Sequence, residues 1–320
     1  MNTSTIYMGM RLRNPVIVAS SGLTSTPEKV KACADAGAGA VVLKSIFEEQ
    51  LEAEMGSMSE GAWYPEAADY IGRYGMENAV SAYLELYRAS AGMVGIPVIP
   101  SIHCFGSGKW VEFAARLQDA GAPAVELNAF ILPSDPRKTG RRNEEALLDI
   151  LTDIKKVISI PVAVKLGSYF SSLPTFAGEM ESAGADALVL FNRFYMVDFD
   201  IEEMQVVPGT NRSSPREAQM VTRWISILYP MLKCDLASTT GVHDGPGVVK
   251  QLLAGARAVQ VCSVLYENGL KTIGEMLGFL SDWMKRHGHS SIDDFLGKMA
   301  ATDNPAEFLR VQFMKVSVKE

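Results

Sequence analysis

A short string repeated four times, a second set of apolar runs interleaved with it, and amphipathic stretches in the gaps predict a closed barrel of eight parallel strands alternating with helices. The string is Ala-Gly-Ala-x-Ala followed by an apolar run, and its copies open at Ala36, Ala120, Ala183 and Ala254. In each copy small residues close a helix, the glycine supplies a left-handed exit, and a short buried strand follows. The second set is Pro15-Val16-Ile17-Val18, Pro97-Val98-Ile99, Pro161-Val162-Ala163-Val164 and Asp235-Leu236-Ala237-Ser238. Three of these open on proline, which at the first residue of a strand costs no ladder bond.

Interleaved, the two sets place strands at 15–20, 40–44, 97–102, 124–128, 162–166, 187–191, 234–238 and 258–262. Helical periodicity fills Pro27–Ala36, Asn143–Ile158, Pro215–Leu232 and Gly269–Arg286. This is the pattern of a TIM (β/α)8 barrel. A doubly wound sheet would place G-x-G-x-x-G after the first strand, where this chain has Ser20-Ser21-Gly22-Leu23-Thr24. Two connections exceed simple turns: Ser45 to about Met76 after strand 2, and Asn192 to about Ser214 after strand 6. Both leave the carboxyl ends of strands, where barrels build their sites, so they are expected to cover a substrate. The tail over 290–320 reads as one or two short helices packed outside, and residues 1–320 as a single domain.

Composition narrows the class. Of the 320 residues 48% are hydrophobic and 21% charged, enough to bury a large core and too apolar for disorder. Thirty Lys and Arg against 37 Asp and Glu leave −7, with no basic run, which argues against nucleic acid and against a polybasic membrane contact. Cys33, Cys104, Cys234 and Cys262 are scattered without a CxxC, so neither a disulfide framework nor a metal site is expected. With no signal-like or membrane-spanning run, a cytoplasmic location is expected.

Function in a barrel collects at the carboxyl ends of its strands. Those ends bring Lys44, Asn128, Lys165 and Asn192 to one mouth. Burying an ammonium is expensive unless an anion or strong acceptor meets it, so the two lysines point to a ligand. After strands 7 and 8, Gly241 lets backbone N–H groups approach an anion and Ser263 adds a hydroxyl, together a candidate phosphate site.

Several blocks, in order, resemble the dihydroorotate dehydrogenase family: Asn14-Pro15-Val16, Ala40 to Ser45, Glu126-Leu127-Asn128, Pro161 to Leu166 and Leu253 to Val261. The resemblance implies an FMN-dependent oxidoreductase that converts dihydroorotate to orotate in pyrimidine biosynthesis. It implies that Ala19, Ser20, Lys44, Ser45, Asn128, Lys165, Thr240, Gly241, Cys262 and Ser263 surround FMN. In that setting Lys165 would hold positive charge near the flavin N1/O2 edge, and Lys44, Asn128 and Asn192 would orient the substrate. A homodimer is also implied, with Phe308 to Met314 as interface material.

The departures are specific. The family's strand-4 loop reads Asn-Leu-Ser-Cys-Pro-Asn, with the cysteine as base, whereas this chain reads Asn128-Ala129-Phe130-Ile131-Leu132-Pro133. Ile131 neither accepts nor donates a proton, and Pro133 stands where the family's second asparagine of that loop is usual. Gly75-Met76-Glu77-Asn78 resembles the family's strand-2 loop, with Gly72 standing where a substrate asparagine is usual. These changes, with Phe47 to Gln50, Leu132 to Pro136 and Phe191 to Tyr195, resemble a divergent dihydroorotate dehydrogenase-like branch. Replacement acid–base groups are sought in Cys104 and Tyr169, then in His103, Asp135, Tyr195 and His243. Three functions stay open: an FMN oxidoreductase on dihydroorotate or a related planar amide, a flavin-binding barrel without turnover, and a flavin-free Schiff-base lyase using Lys165 or Lys44.

Overall fold

The computed structural model describes residues 1–47, 65–103, 108–129, 131–193 and 196–300. Its main sheet is wholly parallel and contains β3 (Val16–Val18), β4 (Ala40–Val42), β5 (Ile46–Phe47), β6 (Val98–Ile99), β7 (Ser101–His103), β8 (Val125–Ala129), β9 (Val162–Leu166), β10 (Ala187–Leu190), β13 (Asp235–Ser238) and β14 (Ala258–Val261). The order is β5-β7-β8-β9-β10-β13-β14-β3-β4-β6. Its two ends are pieces of the same strands. Val41 and Val42 pair with Val98 and Ile99, and Ile46 and Phe47 pair with Ile102 and His103. The ring therefore closes, and the ten pieces are the eight strands the repeats predict. The expected strand 97–102 is split at Pro100, which has no N–H for the ladder, and it runs on to His103.

Side-chain alternation divides the apolar residues into two clusters. Val16, Val41, Val125, Val164, Leu188 and Val259 face outward to the helices. Ile17, Ala40, Ala124, Ala163, Ala187, Ala237 and Ala258 face inward, around Tyr7, Met8 and Leu12. Those last three come from an antiparallel hairpin the sequence reading missed, β1 (Thr5–Tyr7) with β2 (Met10–Leu12). It plugs the floor, which is why so many inward positions there are alanine. Met8 N–H donates to Asp235 Oδ2 at 2.7 Å and pins the plug.

The repeat glycines behave as the pattern requires: φ is 106° at Gly37, 86° at Gly121, 102° at Gly184 and 117° at Gly255. Helix Gly140–Val157 illustrates the outer layer. Thr139 Oγ1 caps its start, Lys155 and Lys156 sit in its last turn, and Leu147, Ile150, Leu151 and Ile154 form the buried stripe. Truncating fully buried Leu151 to alanine costs about 2–5 kcal/mol.

Other expectations change. The loop assigned to Ser45–Met76 ends earlier, because a helix spans Pro65–Met93, and the family-like block Gly75–Asn78 lies within it. The loop after strand 6 carries a hairpin, β11 (Val197–Asp200) with β12 (Gln205–Pro208). The helix expected over 215–232 is a 3-10 turn, Pro215–Glu217, followed by Ala218–Leu228. The one expected over 269–286 is present as Lys271–Arg286, preceded by a short helix, Ser263–Asn268, that ends at Gly269 where φ is 80°. Of the tail expected to hold one or two short helices, the described residues 290–300 hold a 3-10 turn, Ile292–Asp294. The Asp294 carboxylate accepts from Ser290 and Ser291, favouring a turn over a helix. The rest of that tail, with the segment 308–314, lies outside the described residues. Among the described residues no helix is long and apolar enough to cross a membrane.

Candidate active site

The same alternation builds the mouth. Counting by twos from inward residues reaches Ala19 from Ile17, Lys44 from Val42, Asn128 from Ala124, and Cys262 from Ala258. One step deeper lie Glu126, Lys165 and Gln260, which are 1%, 8% and 1% exposed. Lys165 Nζ donates to Gln260 Oε1 at 3.3 Å and stands 3.8 Å from Glu126 Oε1, while Gln260 Nε2 donates to Glu126 Oε2. Glu126 Oε1 accepts no hydrogen bond. Sequence reasoning singled out Lys165 but missed its partners. The available signal was an acid in the otherwise apolar run Ala124-Val125-Glu126-Leu127.

Strands 1 to 3 contribute hydroxyls. Ser20 Oγ meets Ser45 Oγ at 3.0 Å, and Ser45 Oγ meets Ser101 Oγ at 2.7 Å. Tyr83 fixes the far end, accepting from Ser101 N–H at 2.9 Å and donating to its carbonyl at 3.0 Å. On the opposite side Asn192 Nδ2 donates to Asn128 Oδ1 at 2.7 Å, and His103 Nδ1 lies 3.0 Å from the Asn128 carbonyl. Ala19 is buried and Ser20 half-buried at this rim.

At the ends of strands 7 and 8, Thr240 and Gly241 both have positive φ, 74° and 83°. Thr240 Oγ1 donates to the Phe191 carbonyl at 3.0 Å. Gly241 N–H donates to Ser213 Oγ at 3.2 Å, and Ser213 N–H donates to Ser263 Oγ at 2.9 Å. Ser213, from the strand-6 loop, is a third residue the sequence reading missed. Cys262 is half-buried, and burial pushes its thiol up from the ordinary range against the opposing pull of Ser21 and Lys165.

The remaining candidates separate. Lys44 is exposed at its strand end rather than buried. Tyr169 is 61% exposed, and with Ile131, Pro133, Asn143, Glu144 and Phe170 it lines a cavity of about 200 Å3 between the strand-4 and strand-5 loops. Ile131 also packs on the outer core, as an apolar side chain would. Cys104 and Tyr195 lie outside the described residues. Glu77, in the family-like block, is spent on Arg116 at 2.9 Å.

Comparison with known proteins agrees with this architecture. The dihydroorotate dehydrogenase family model matches residues 2–284. The chain is 28% identical over 296 residues to the dihydroorotate dehydrogenase B (NAD(+)) catalytic subunit of Methanosarcina acetivorans, covering 90% of this chain and 93% of that one. It is 29% identical over 306 residues to the subunit of the same name from Pyrococcus abyssi, covering 90% and 96%. For the one from Thermoplasma acidophilum the identity is 28% over 307 residues, covering 92% and 97%. A match running from the floor hairpin almost to the end of helix Lys271–Arg286 takes in every strand of the ring: the chain belongs to the dihydroorotate dehydrogenase family.

Proposed function

We propose that this single-domain chain is an FMN-dependent oxidoreductase that acts on dihydroorotate or a related planar amide, with its usual base replaced by Ile131. The observation that carries the reading is the buried Lys165 among Gln260 and Glu126, one layer beneath a rim of amide and hydroxyl groups. The donor set fits a flavin: a cation for the N1/O2 edge, hydroxyls of Ser20 and Ser45 along one side, and for the phosphate the Ser263 hydroxyl, whose proton is still free, with Gly241 N–H once it is released from Ser213 Oγ. Ala19, Thr240 and Cys262 supply the walls, and Lys44 closes the solvent side. When bound, FMN would supply the acceptor for a hydride leaving the substrate carbon.

The protein's own work is positioning. Asn128 and Asn192 hold the planar amide, Lys165 favours negative charge developing beside it, and the loop after strand 6 restricts water. Proton removal has no donor–acceptor group at Ile131, so it falls to another loop, with Tyr169 and Cys104 as candidates, or to water. That substitution favours a second reading, flavin binding without turnover of dihydroorotate. A Schiff-base role for Lys165 is weaker, because its amine is already engaged by Gln260 and Glu126.

Anaerobic stopped-flow spectroscopy tests these readings. A protein that binds FMN and is bleached by dihydroorotate supports the first; one that binds FMN and is bleached by no planar amide supports the second. A preparation that stays colourless after incubation with excess FMN overturns both. The working assembly is taken as a homodimer, and a monomer mass in light scattering at micromolar concentration would refute that part.

A further inference from the structure

The cavity of about 200 Å3 between the loops after strands 4 and 5 contains none of the residues given to the flavin. It adjoins the mouth all the same. Gly167, two positions beyond Lys165, and Ile131, three positions beyond Asn128, both line it. Its outer walls are fixed. Leu147 belongs to the buried stripe of helix Gly140–Val157, and Phe170 stacks on buried Phe176 with ring centres 4.6 Å apart. A preformed cavity with such walls suits an apolar group better than water, which finds few partners there.

One wall is charged. Glu144 lines the cavity with its side chain 17% exposed, and among the described residues its carboxylate meets Arg141 alone, at 3.8 Å. Arg141 is committed elsewhere, with Nη1 2.6 Å from Glu179 and Nε 3.2 Å from Glu145. Arg137, in the strand-4 loop, is spent on Asp135 at 3.0 Å. Among the described residues that line the cavity there is no lysine or arginine.

We propose that this cavity is a side-arm subsite, and that the native substrate is a ring amide carrying an apolar arm that ends in an ammonium group. The inference rests on the oxidoreductase reading above for the ring end and specifies which relative of dihydroorotate is taken. Dihydroorotate itself offers this cavity the wrong chemistry. Its ring substituent is a carboxylate, which would face the Glu144 carboxylate with no cation between them. An ammonium supplies the hydrogen-bond donors that Glu144 lacks, and a charge-assisted bond in a partly buried place is a strong one. The arm's methylenes bury against Ile131, Leu147 and Phe170, each worth about fourfold in affinity. Ile131 thereby gains a role: the residue that takes the place of a base is a wall for the arm.

Isothermal titration calorimetry on the full-length, FMN-loaded protein tests this with four probes. They are 5,6-dihydrouracil, its 6-butyl and 6-(4-aminobutyl) derivatives, and dihydroorotate. The butyl compound is expected to bind at least tenfold tighter than dihydrouracil, and the aminobutyl compound at least tenfold tighter again. Ile131→Trp, which fills the cavity, should bring both arms to within threefold of dihydrouracil. Glu144→Gln should cancel the advantage of aminobutyl over butyl. Glu145→Gln, at a neighbouring acid that does not line the cavity, should preserve it. Should Ile131→Trp fold poorly, the isosteric Glu144→Gln carries the test. The proposal is overturned if dihydroorotate binds tighter than the aminobutyl compound, or if neither arm binds tighter than dihydrouracil. An amine preference that survives Glu144→Gln would overturn it too. The visible spectrum of the same preparation reads the flavin separately. A colourless protein that still selects the aminobutyl arm through Glu144 keeps the subsite and loses FMN, and a yellow protein with no preference for either arm does the reverse.

Discussion

Asn192 Nδ2 donates to Asn128 Oδ1 across 2.7 Å, tying the end of the sixth barrel strand to the end of the fourth. The bond uses one group of each amide and leaves the complementary ones: the Asn128 NH2 as donor and the Asn192 carbonyl as acceptor. A planar ring amide presents the matching acceptor and donor, so the pair reads as one recognition unit.

Asn192→Asp replaces the bridging donor with a carboxylate that has nothing to give Asn128 Oδ1. The expected outcome is a loss of about 100-fold or more in kcat/KM for whichever planar amide reduces the flavin, with the bound-flavin spectrum retained. Asn192→Ala should fall short of that, because it leaves Asn128 free to turn toward substrate. Steady-state kinetics on both variants checks the ordering.

The trio beneath the proposed flavin position predicts separable effects. Lys165→Ala strands Glu126 as a buried charge and should cost about 3–5 kcal/mol of stability, seen as a lower urea midpoint. Lys285→Ala, on an exposed turn of the last long helix, is the control. Glu126→Gln keeps the shape but removes the negative charge that offsets Lys165. A flavin bound above a less compensated cation is easier to reduce, so its midpoint potential should rise. A redox titration showing a fall would contradict the placement of Lys165 against the flavin.

Gly241→Ala tests the turn after strand 7. Its φ of 83° disfavours any side chain, and an added Cβ would lie 2.2 Å from the Ala218 nitrogen. Backbone cannot step aside as a flexible side chain can. The substitution should destabilise the protein by about 2–4 kcal/mol and abolish flavin retention. Thermal melting with and without FMN measures both.

The thiols predict slow chemistry. Burial pushes Cys33 up to about 11 and Cys234 up to about 12, and raises Cys262 as well. A raised value keeps the thiol protonated at neutral pH, so thiolate, the reactive form, appears only as pH climbs. Iodoacetamide at pH 7.5 should therefore leave all three unlabelled over minutes, with Cys262 labelling appearing above pH 9. Peptide mass spectrometry gives the sites. Rapid labelling of Cys262 at pH 7.5 would mean its surroundings are wetter than the packing indicates.

How far the sequence carried depended on what each feature rests on. The strands were legible because the Ala-Gly-Ala-x-Ala repeat couples a local backbone demand, the positive φ at Gly37, Gly121, Gly184 and Gly255, to a buried strand that follows at once. The floor hairpin was not, since three-residue strands such as Thr5–Tyr7 carry too little periodicity to register. Lys165 stood out as a charge in an apolar run. Its partners Glu126 and Gln260 come from strands 4 and 8 and meet it only through barrel closure, a relation no local pattern encodes. Ser213 was hidden for the same reason, lying in a long loop with nothing nearby in sequence to mark it. Pro100 was visible as a residue, but its effect, splitting one strand into two pieces, follows from pairing on both sides.

The last prediction concerns turnover and follows from Ile131. Oxidising dihydroorotate requires a carbon-bound proton to leave on one side while hydride leaves on the other. At the position the resemblance gives to the family's base, this chain has a half-buried isoleucine packed on the outer core and lining a cavity with Pro133, Tyr169 and Phe170. A positioned base is worth about 100- to 10,000-fold, so bleaching of the unmodified protein's flavin by dihydroorotate should be slower by that order than with a thiolate in place. Ile131→Cys tests the position directly. If Asn128 and Asn192 still orient the ring, the variant should accelerate bleaching, and more so as pH rises and the thiol ionises. If Gly72 and Pro133 have removed the grip on the ring, the rate should not change, and a different planar amide becomes the substrate to seek. The mutation shortens an apolar side chain at a half-buried site, so a stability loss of about 1–2 kcal/mol is expected and is read separately by melting. Rapid bleaching of the unmodified protein would place the base elsewhere, and Tyr169→Phe and Cys104→Ala would be the next variants to time.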